Sequence, residues 1–119
     1  MGVVYYARYF EWFEAGRNEL LRNQGLPYTE IESRGIALPV VEATAKYLRP
    51  ARYDDLLTIV TTLVEPPRVT ITLDYEVVHK SQATPLVTGR TVHSFVKANG
   101  RPTRAPQWVV DVLTEQVTI

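Results

Sequence analysis

The residues most often found in nucleophilic and metal sites, cysteine and histidine, are scarce in this 119-residue sequence. The absence of cysteine excludes thiolate nucleophiles and cysteine-ligated metals. The two histidines, His79 and His93, are too few to indicate a zinc site, and we expect His93 to be a satisfied core or interface residue. Glu14 with Arg17 or Asn18 would give the polar side of a helix an ion-pair or hydrogen-bond partner, and a solvated helix face is the favoured interpretation of these charges. These residues alone do not define a catalytic site, so the elements that would position one are considered next.

The overall charge excludes some classes of partner. Thirteen basic and thirteen acidic residues give a formal net charge of zero, so we predict no binding to nucleic acid or to an anionic membrane. With 45% hydrophobic residues, residues 1–119 are predicted to form one domain with a single core. No apolar run is long enough to span a membrane and no signal peptide is recognisable, so we predict a soluble, cytoplasmic protein.

One long helix is predicted from Gly2 to Arg22, and it is the first element that would position the residues of a site. Aromatic and apolar residues recur at three- and four-residue steps, and the first half is apolar almost all round. Gly25 and Pro27 are typical of the residues that end a helix, which places the end near Asn23. Such a helix requires a concave apolar surface from the rest of the chain.

Four strands are predicted after a polar connector that runs from Pro27 to Gly35. β-Branched residues and two-residue alternation mark the segments 36–48, 56–65, 69–79 and 86–97. Pro39 breaks or bulges the first of them, and Gly89 marks a bulge or a close approach of another backbone. The short connections favour antiparallel neighbours.

The end of the chain is predicted to turn back and finish in a helix. Asn99-Gly100 favours a type I′ turn, and Pro106 suits the first position of a helix that runs to about Gln116. The order of elements therefore predicts an α+β fold, in which a curled antiparallel sheet wraps the long central helix and a short C-terminal helix closes one end.

Three motifs together resemble a known family. They are GVVYYARYFEWFEAGR, LPVVEATAKYLRPARYDDLLTI and TGRTVHSFVKANGRPTRAP, and the likeness runs from Gly2 to about Pro106. The chain resembles the hot-dog-fold acyl-CoA thioesterases of the 4-hydroxybenzoyl-CoA thioesterase and YbgC-like type. The resemblance implies hydrolysis of acyl-CoA or aroyl-CoA thioesters without metal or cofactor. It also implies dimers whose two sheets join edge to edge, often paired into a homotetramer.

The resemblance also implies a division of roles at the active site. Backbone N–H groups and the positive end of a helix stabilise the oxyanion that forms on the thioester carbonyl, and a carboxylate acts as base or nucleophile. The family motif is D-x-x-G, with its glycine at Gly2, so the aspartate is expected upstream of Met1. We consider three explanations: Met1 is an internal residue of a longer chain, the chain is catalytically weakened, or Glu11 or Glu14 substitutes.

By the same resemblance, four residues of the first segment belong to the site. Tyr6 takes the position whose backbone N–H helps to hold the thioester oxygen, and Gly2 allows a close backbone approach. Tyr5 and Tyr9 are expected to line or support the acyl pocket. Aromatic core packing is at least as good an explanation for Tyr9.

The CoA phosphates require cations, and the resemblance indicates which arginine binds them. Arg68 matches an arginine of the family's phosphate-binding hairpin. Arg49 is a weaker candidate for substrate binding, as are Arg52 and Arg101. Asp54 and Asp55 are expected to set a turn before a strand rather than to act in catalysis.

Two functions remain to be separated. The leading one is a thioesterase for short-chain aliphatic or aromatic acyl-CoA. The alternative is a catalytically silent hot-dog protein that binds acyl-CoA or only assembles with itself. If no strand precedes Gly2, one side of the first helix and one sheet edge should lack cover.

Overall fold

The computed structural model describes residues 6–52, 55–80 and 84–117. Three helices and six strands follow one another along the chain. They are α1 Tyr6–Asn23, α2 Tyr28–Ser33, β1 Ile36–Ala37, β2 Val40–Tyr47, β3 Leu57–Leu63, β4 Thr70–His79, β5 Pro85–Lys97, β6 Pro102–Thr103 and α3 Gln107–Val117. The predicted strands and both predicted helices are therefore confirmed within the described residues.

The strands form a curled antiparallel sheet with β5 at its centre. One side of β5 pairs with β4, which pairs in turn with β3, and the other strands, β1, β2 and β6, also pair with β5. Pro39 lies between β1 and β2, as predicted, and the register shifts between Val40 and Glu42. The outer faces of β2 and β3 carry exposed apolar side chains, including Val41 and Val60.

The N-terminal half of α1 packs on the sheet through an aromatic cluster. Phe13 is buried and stacks on Tyr75 of β4, with ring centroids 4.5 Å apart and planes 13° from parallel. A Cβ atom on Gly89 would overlap the Phe13 ring. No register shift occurs at Gly89, so its role is close approach, here of an aromatic ring, rather than a bulge.

The C-terminal half of α1 packs in an aliphatic cluster. Its buried members come from α1, α2, the sheet and α3: they include Leu21, Ile31, Ile71, Phe95 and Leu113. Apart from Phe95 these side chains are aliphatic, and they close the end of the sheet beneath α3. This confirms the predicted position of the C-terminal helix.

Helix α1 ends in a Schellman motif, as Gly25 and Pro27 led us to expect. Gly25 has φ +87°, the Leu26 N–H donates to the Leu21 carbonyl at 2.8 Å, and the Gly25 N–H donates to the Arg22 carbonyl at 3.1 Å. Leu21 and Leu26 both belong to the aliphatic cluster. The local stop signal and the tertiary packing therefore agree.

The Asn99-Gly100 turn differs from the predicted type I′ turn. Gly100 has φ +85°, but no described residue other than glycine has positive φ, so Asn99 does not meet the type I′ requirement. The Gly100 N–H donates to the Lys97 carbonyl at 2.8 Å, and the Lys97 N–H donates to the Arg101 carbonyl at 2.9 Å. This is a type I turn followed by a glycine bulge, the usual longer hairpin loop. The chain turns back as predicted, with one more loop residue.

Candidate active site

The first turn of α1 lies at the edge of the described residues. Gly2 and Tyr5 lie outside them, and so do the upstream positions implied by the family motif. For Tyr6 the structure describes the backbone, which begins α1. The backbone amides proposed for the oxyanion are therefore at, or just before, the start of the helix.

A cavity of about 500 Å³ runs along α1 between the helix and strands β2 and β5. We call it the α1 cavity. Its polar and apolar walls come from five elements and the β1–β2 connection. The lining comprises Ala7, Phe10, Glu11, Glu14, Arg17, Tyr28, Leu38, Pro39, Val40, Ala43, Tyr75, Thr91 and His93. Its volume falls within the roughly 300–1,000 Å³ typical of small-molecule sites.

A chain of hydrogen bonds crosses the sheet wall of the α1 cavity. The Nδ1–H of His93 donates to the Leu38 carbonyl at 3.0 Å, because a carbonyl oxygen only accepts. In the neutral ring Nε2 then accepts from the Thr91 hydroxyl at 2.9 Å, and Thr91 accepts from the Tyr75 hydroxyl at 2.7 Å. Burial lowers the pKa of His93, and the charge of Arg17 acts in the same direction. His93 is thus the satisfied core histidine that we predicted.

Arg17 lies on the other side of this cavity and is only 5% exposed. Its Nε and Nη2 groups donate to the Asn18 side-chain oxygen at 3.1 and 2.8 Å, and its guanidinium lies 4.5 Å from the centre of the Tyr28 ring. The predicted pairing of Glu14 with Arg17 is wrong, since no salt bridge joins them in the described part of the chain. Arg17 falls on the apolar stripe of α1, and a charge on such a stripe is the sequence signal that our prediction missed.

A second cavity, of about 540 Å³, lies beside the β3–β4 hairpin. We call it the hairpin cavity. Arg68 lines it together with Arg104, a residue that the sequence analysis did not single out. The Ala105 N–H donates to the Arg68 carbonyl at 2.6 Å and so joins the two segments. The start of α3, at Gln107, also lines it, so its lining offers two cations and a helix N-terminus.

Tyr9 and Arg49, the other predicted substrate residues that the structure describes, lie at the opposite end of the sheet. Tyr9 is buried, packs edge-on against Trp12 and Tyr47, and does not line the α1 cavity, so it packs in the core. Arg49 is exposed and lies two residues after the end of β2. On β5, Val87 pairs with Tyr47 of β2 and Ser94 pairs with Thr70 of β4. These two positions are seven residues apart, which is about 23 Å along the strand. One chain therefore does not bring Arg49 and Arg68 together.

Asp55 has the structural role that we predicted. Its carboxylate accepts from the Arg52 N–H at 2.8 Å, and this bond lowers the pKa of Asp55. The same carboxylate lies 3.4 Å from His79, for which the sequence suggested no partner. Asp54 lies outside the described residues. Within the described ranges no three metal-ligating side chains cluster, and no helix has the length and apolar character of a membrane span.

A family model decides the relationship that the motifs suggested. Residues 1–113 match the model described as the Thioesterase-like superfamily. The chain belongs to this superfamily. A relative from Aquifex aeolicus (strain VF5), named "Putative esterase", is 33% identical over 96% of this chain and 87% of its own.

Two further similar proteins carry names that describe an activity. "Acyl-CoA thioester hydrolase YbgC" of Escherichia coli O6:H1 is 37% identical over 52% of this chain and 46% of its own. The solved structure of a mutant 4-hydroxybenzoyl CoA thioesterase, bound to 4-hydroxybenzoyl CoA, superposes with a TM-score of 0.82 at 25% identity, over 93% of this chain and 86% of the other. The predicted hot-dog fold and thioester-hydrolase class are confirmed.

Proposed function

We propose that the protein hydrolyses acyl-CoA thioesters with short-chain aliphatic or aromatic acyl groups. The observation that carries the proposal is the α1 cavity, which extends along a helix whose first turn supplies backbone N–H groups. The positive end of the helix favours the negative charge that develops on a thioester oxygen. Membership of the superfamily supports the same reaction.

The reaction requires a base as well as the oxyanion site. Water adds to the thioester carbonyl while a carboxylate takes its proton, and the C–S bond then breaks to release the free acid and the CoA thiol. The family motif assigns the carboxylate to the third position before Gly2. Tyr6 and Gly2 supply the backbone side of the site in this proposal. Tyr5 lines the acyl pocket, whereas Tyr9 supports it only from the core, where it packs on Trp12 and Tyr47.

A thiol-release assay tests both halves of the proposal. It compares the 119-residue chain with two versions that carry D-x-x or N-x-x before Gly2, on aliphatic and aromatic acyl-CoA esters. We expect the aspartate version to exceed the asparagine version by about 100-fold, the low end for general acid–base catalysis. Equal rates in all three would remove the upstream carboxylate from the mechanism. Acyl-CoA binding without turnover in any version would support the silent-protein alternative.

Arg68 is the proposed contact for the CoA phosphates, and Arg104 adds a second cation to the same cavity. We expect Arg68→Gln to raise KM with little change in kcat, because the phosphates are remote from the reacting carbonyl. Arg101→Gln is the matched control, since Arg101 is exposed and does not line the hairpin cavity. A change in kcat alone would contradict a phosphate role. Arg49, at the other end of the sheet, remains a weaker proposal.

Homodimers, and tetramers built from them, are also part of the proposal. Among the described strands β2 pairs only with β5, and its exposed apolar residues Val40, Val41 and Tyr47 are unusual for a free edge. A second copy adding its own β2 would cover them. Light scattering should show a dimer or tetramer that Val41→Lys shifts towards monomer, while Val60→Lys on β3 does not weaken the dimer.

A further inference from the structure

The buried charge of Arg17 lacks a counter-ion in the described part of the chain. The partners of its guanidinium are the Asn18 amide oxygen and the face of the Tyr28 ring, both of which are neutral. Among the described residues, no salt bridge within 4.0 Å includes Arg17, although it is only 5% exposed. A buried cation without an anion is costly, so an anion entering the cavity gains a strong partner.

The remaining walls of the α1 cavity do not supply that anion at close range. Glu11 is exposed and pairs with Arg8 at 3.3 Å. Glu14 is exposed and makes no described salt bridge with Arg17. The His93 chain of hydrogen bonds is neutral, with its two ring nitrogens already bonded. Among the described lining residues, Arg17 is therefore the sole cation.

The apolar part of the lining is suited to a hydrocarbon chain. Phe10, Leu38, Pro39 and Val40 lie along the cavity, and the lining also includes Ala7, next to the first turn of α1. An acyl chain attached to a thioester at that turn would pass these residues before it reached Arg17. The cavity therefore combines an apolar path with a cation beyond it.

We propose that the α1 cavity takes an acyl group whose far end carries a carboxylate, and that Arg17 binds this carboxylate. The substrate class is then a monothioester of a dicarboxylic acid, and Arg17 determines specificity. This inference rests on the proposed thioesterase function. A neutral hydroxyl group at the same place would form hydrogen bonds but would leave the guanidinium charge uncompensated.

The positions of Ala7 and Arg17 indicate the length of the acyl chain. They are ten residues apart in α1, which is about 15 Å along the helix axis. Helical side chains lean towards the N-terminus, so the guanidinium lies nearer to the first turn than its own Cα does. We therefore expect adipyl-CoA and suberyl-CoA to be better substrates than succinyl-CoA.

The first test compares charged and neutral esters of equal length on the version of the protein that carries D-x-x before Gly2. Adipyl-CoA is paired with hexanoyl-CoA, and suberyl-CoA with octanoyl-CoA. A charge-assisted hydrogen bond is worth about 1.5–3 kcal/mol, so kcat/KM should favour the carboxylate esters by about 10- to 100-fold. Equal values, or a preference for the neutral esters, would overturn the proposal.

Variants of Arg17 test whether this residue causes the preference for carboxylate esters. Arg17→Gln should abolish the preference by lowering kcat/KM for adipyl-CoA more than for hexanoyl-CoA, and Arg17→Lys should retain part of the preference because a point charge remains. Arg22→Gln is the control, since Arg22 is on the same helix but exposed and paired with Glu19 at 2.5 Å. Glu14→Gln should increase the preference, because it removes a negative charge that repels the carboxylate of the ester. An equal loss of turnover for both esters in Arg17→Gln would show a purely structural role and contradict the proposal.

Direct binding of free adipate separates this inference from the proposed function. Calorimetry on the unaltered protein should detect adipate but not its neutral diamide, adipamide, and Arg17→Gln should remove the signal if the variant folds by circular dichroism. Adipate binding without hydrolysis of any thioester, even by the version that carries D-x-x before Gly2, would support the cavity assignment and refute the thioesterase. Hydrolysis without ester preference and without adipate binding would refute the cavity assignment alone.

Discussion

The two halves of α1 pack in different ways, and a glycine marks each. In the aromatic cluster Gly89 makes room for the Phe13 ring, which stacks on Tyr75. In the aliphatic cluster the glycine is Gly25, which has open space around it and is needed for its positive φ. The stability of the first half depends on how closely the rings fit, and this half lies beside the α1 cavity. The stability of the second half depends on how much apolar volume is buried, and this half closes one end of the sheet.

Leu21→Ala should give the largest effect, because Leu21 is fully buried in the aliphatic cluster. Deleting a buried leucine side chain to alanine costs about 3 kcal/mol through lost transfer energy and a residual cavity. Leu21→Met, which conserves volume, should cost less than about 1.5 kcal/mol. Urea unfolding monitored by circular dichroism measures both. A methionine variant as unstable as the alanine one would show that this half also depends on shape.

Gly89→Ala should come next, at about 2 kcal/mol, the middle of the range for overpacking. The added Cβ would overlap the Phe13 ring and lie 3.0 Å from the Thr44 carbonyl oxygen. Leucine at position 13 lacks the ring atoms that clash, so the double variant Phe13→Leu/Gly89→Ala should be more stable than the two single effects predict. Additive losses in this cycle would contradict the steric explanation.

Much of this contrast could be predicted from the sequence, but the environment of Arg17 could not. Two-residue alternation placed β3 and β4 correctly, and the glycine–proline signal ended α1 where the Schellman motif forms. Arg17 occupied a known helix face, yet its burial depends on Tyr28 from α2 and on a cavity wall from β2. Such contacts come from tertiary packing between distant segments, which local patterns do not encode.

The same reason explains what was missed around His93. Its chain of hydrogen bonds joins Thr91 on β5 to Tyr75 on β4, and the β4–β5 register pairs Tyr75 with Gly89, two residues before Thr91. That register is set by the hairpin and its bulge rather than by either strand alone. Arg104 likewise reaches the hairpin cavity only because a backbone bond joins Ala105 to Arg68.

The pH dependence of stability provides a second test of the aromatic half. Burial lowers the pKa of His93 in the folded protein, and Arg17 adds to this, whereas the Leu38 carbonyl and Glu14 oppose it. The unfolded chain then binds a proton more readily, so stability is retained above the unfolded pKa of about 6.5 and is lost as pH falls below it. The slope for one proton is at most about 1.4 kcal/mol per pH unit.

Thermal unfolding between about pH 7.5 and 5.5, a window that spans the ordinary histidine pKa, measures this slope. The unaltered protein should lose stability towards the acidic end, and His93→Gln should flatten the dependence in this window even if it lowers stability overall. A slope that survives in His93→Gln would assign the effect to another group and leave the neutral hydrogen-bond chain without support.

Gly25→Ala should have the smallest effect, about 1 kcal/mol, because the cost is purely conformational. No heavy atom lies within 4 Å of the place that a Cβ would take, so the new methyl group meets no neighbour, and the penalty comes from a side chain in the left-handed region. Gly25→Asn should cost less, since asparagine tolerates this region better. For Gly89 the order reverses, because asparagine is larger than alanine and the limit there is space. The unfolding free energies of the four variants therefore distinguish a conformational glycine from a steric one. An identical order at both sites would remove the distinction between the two halves of α1.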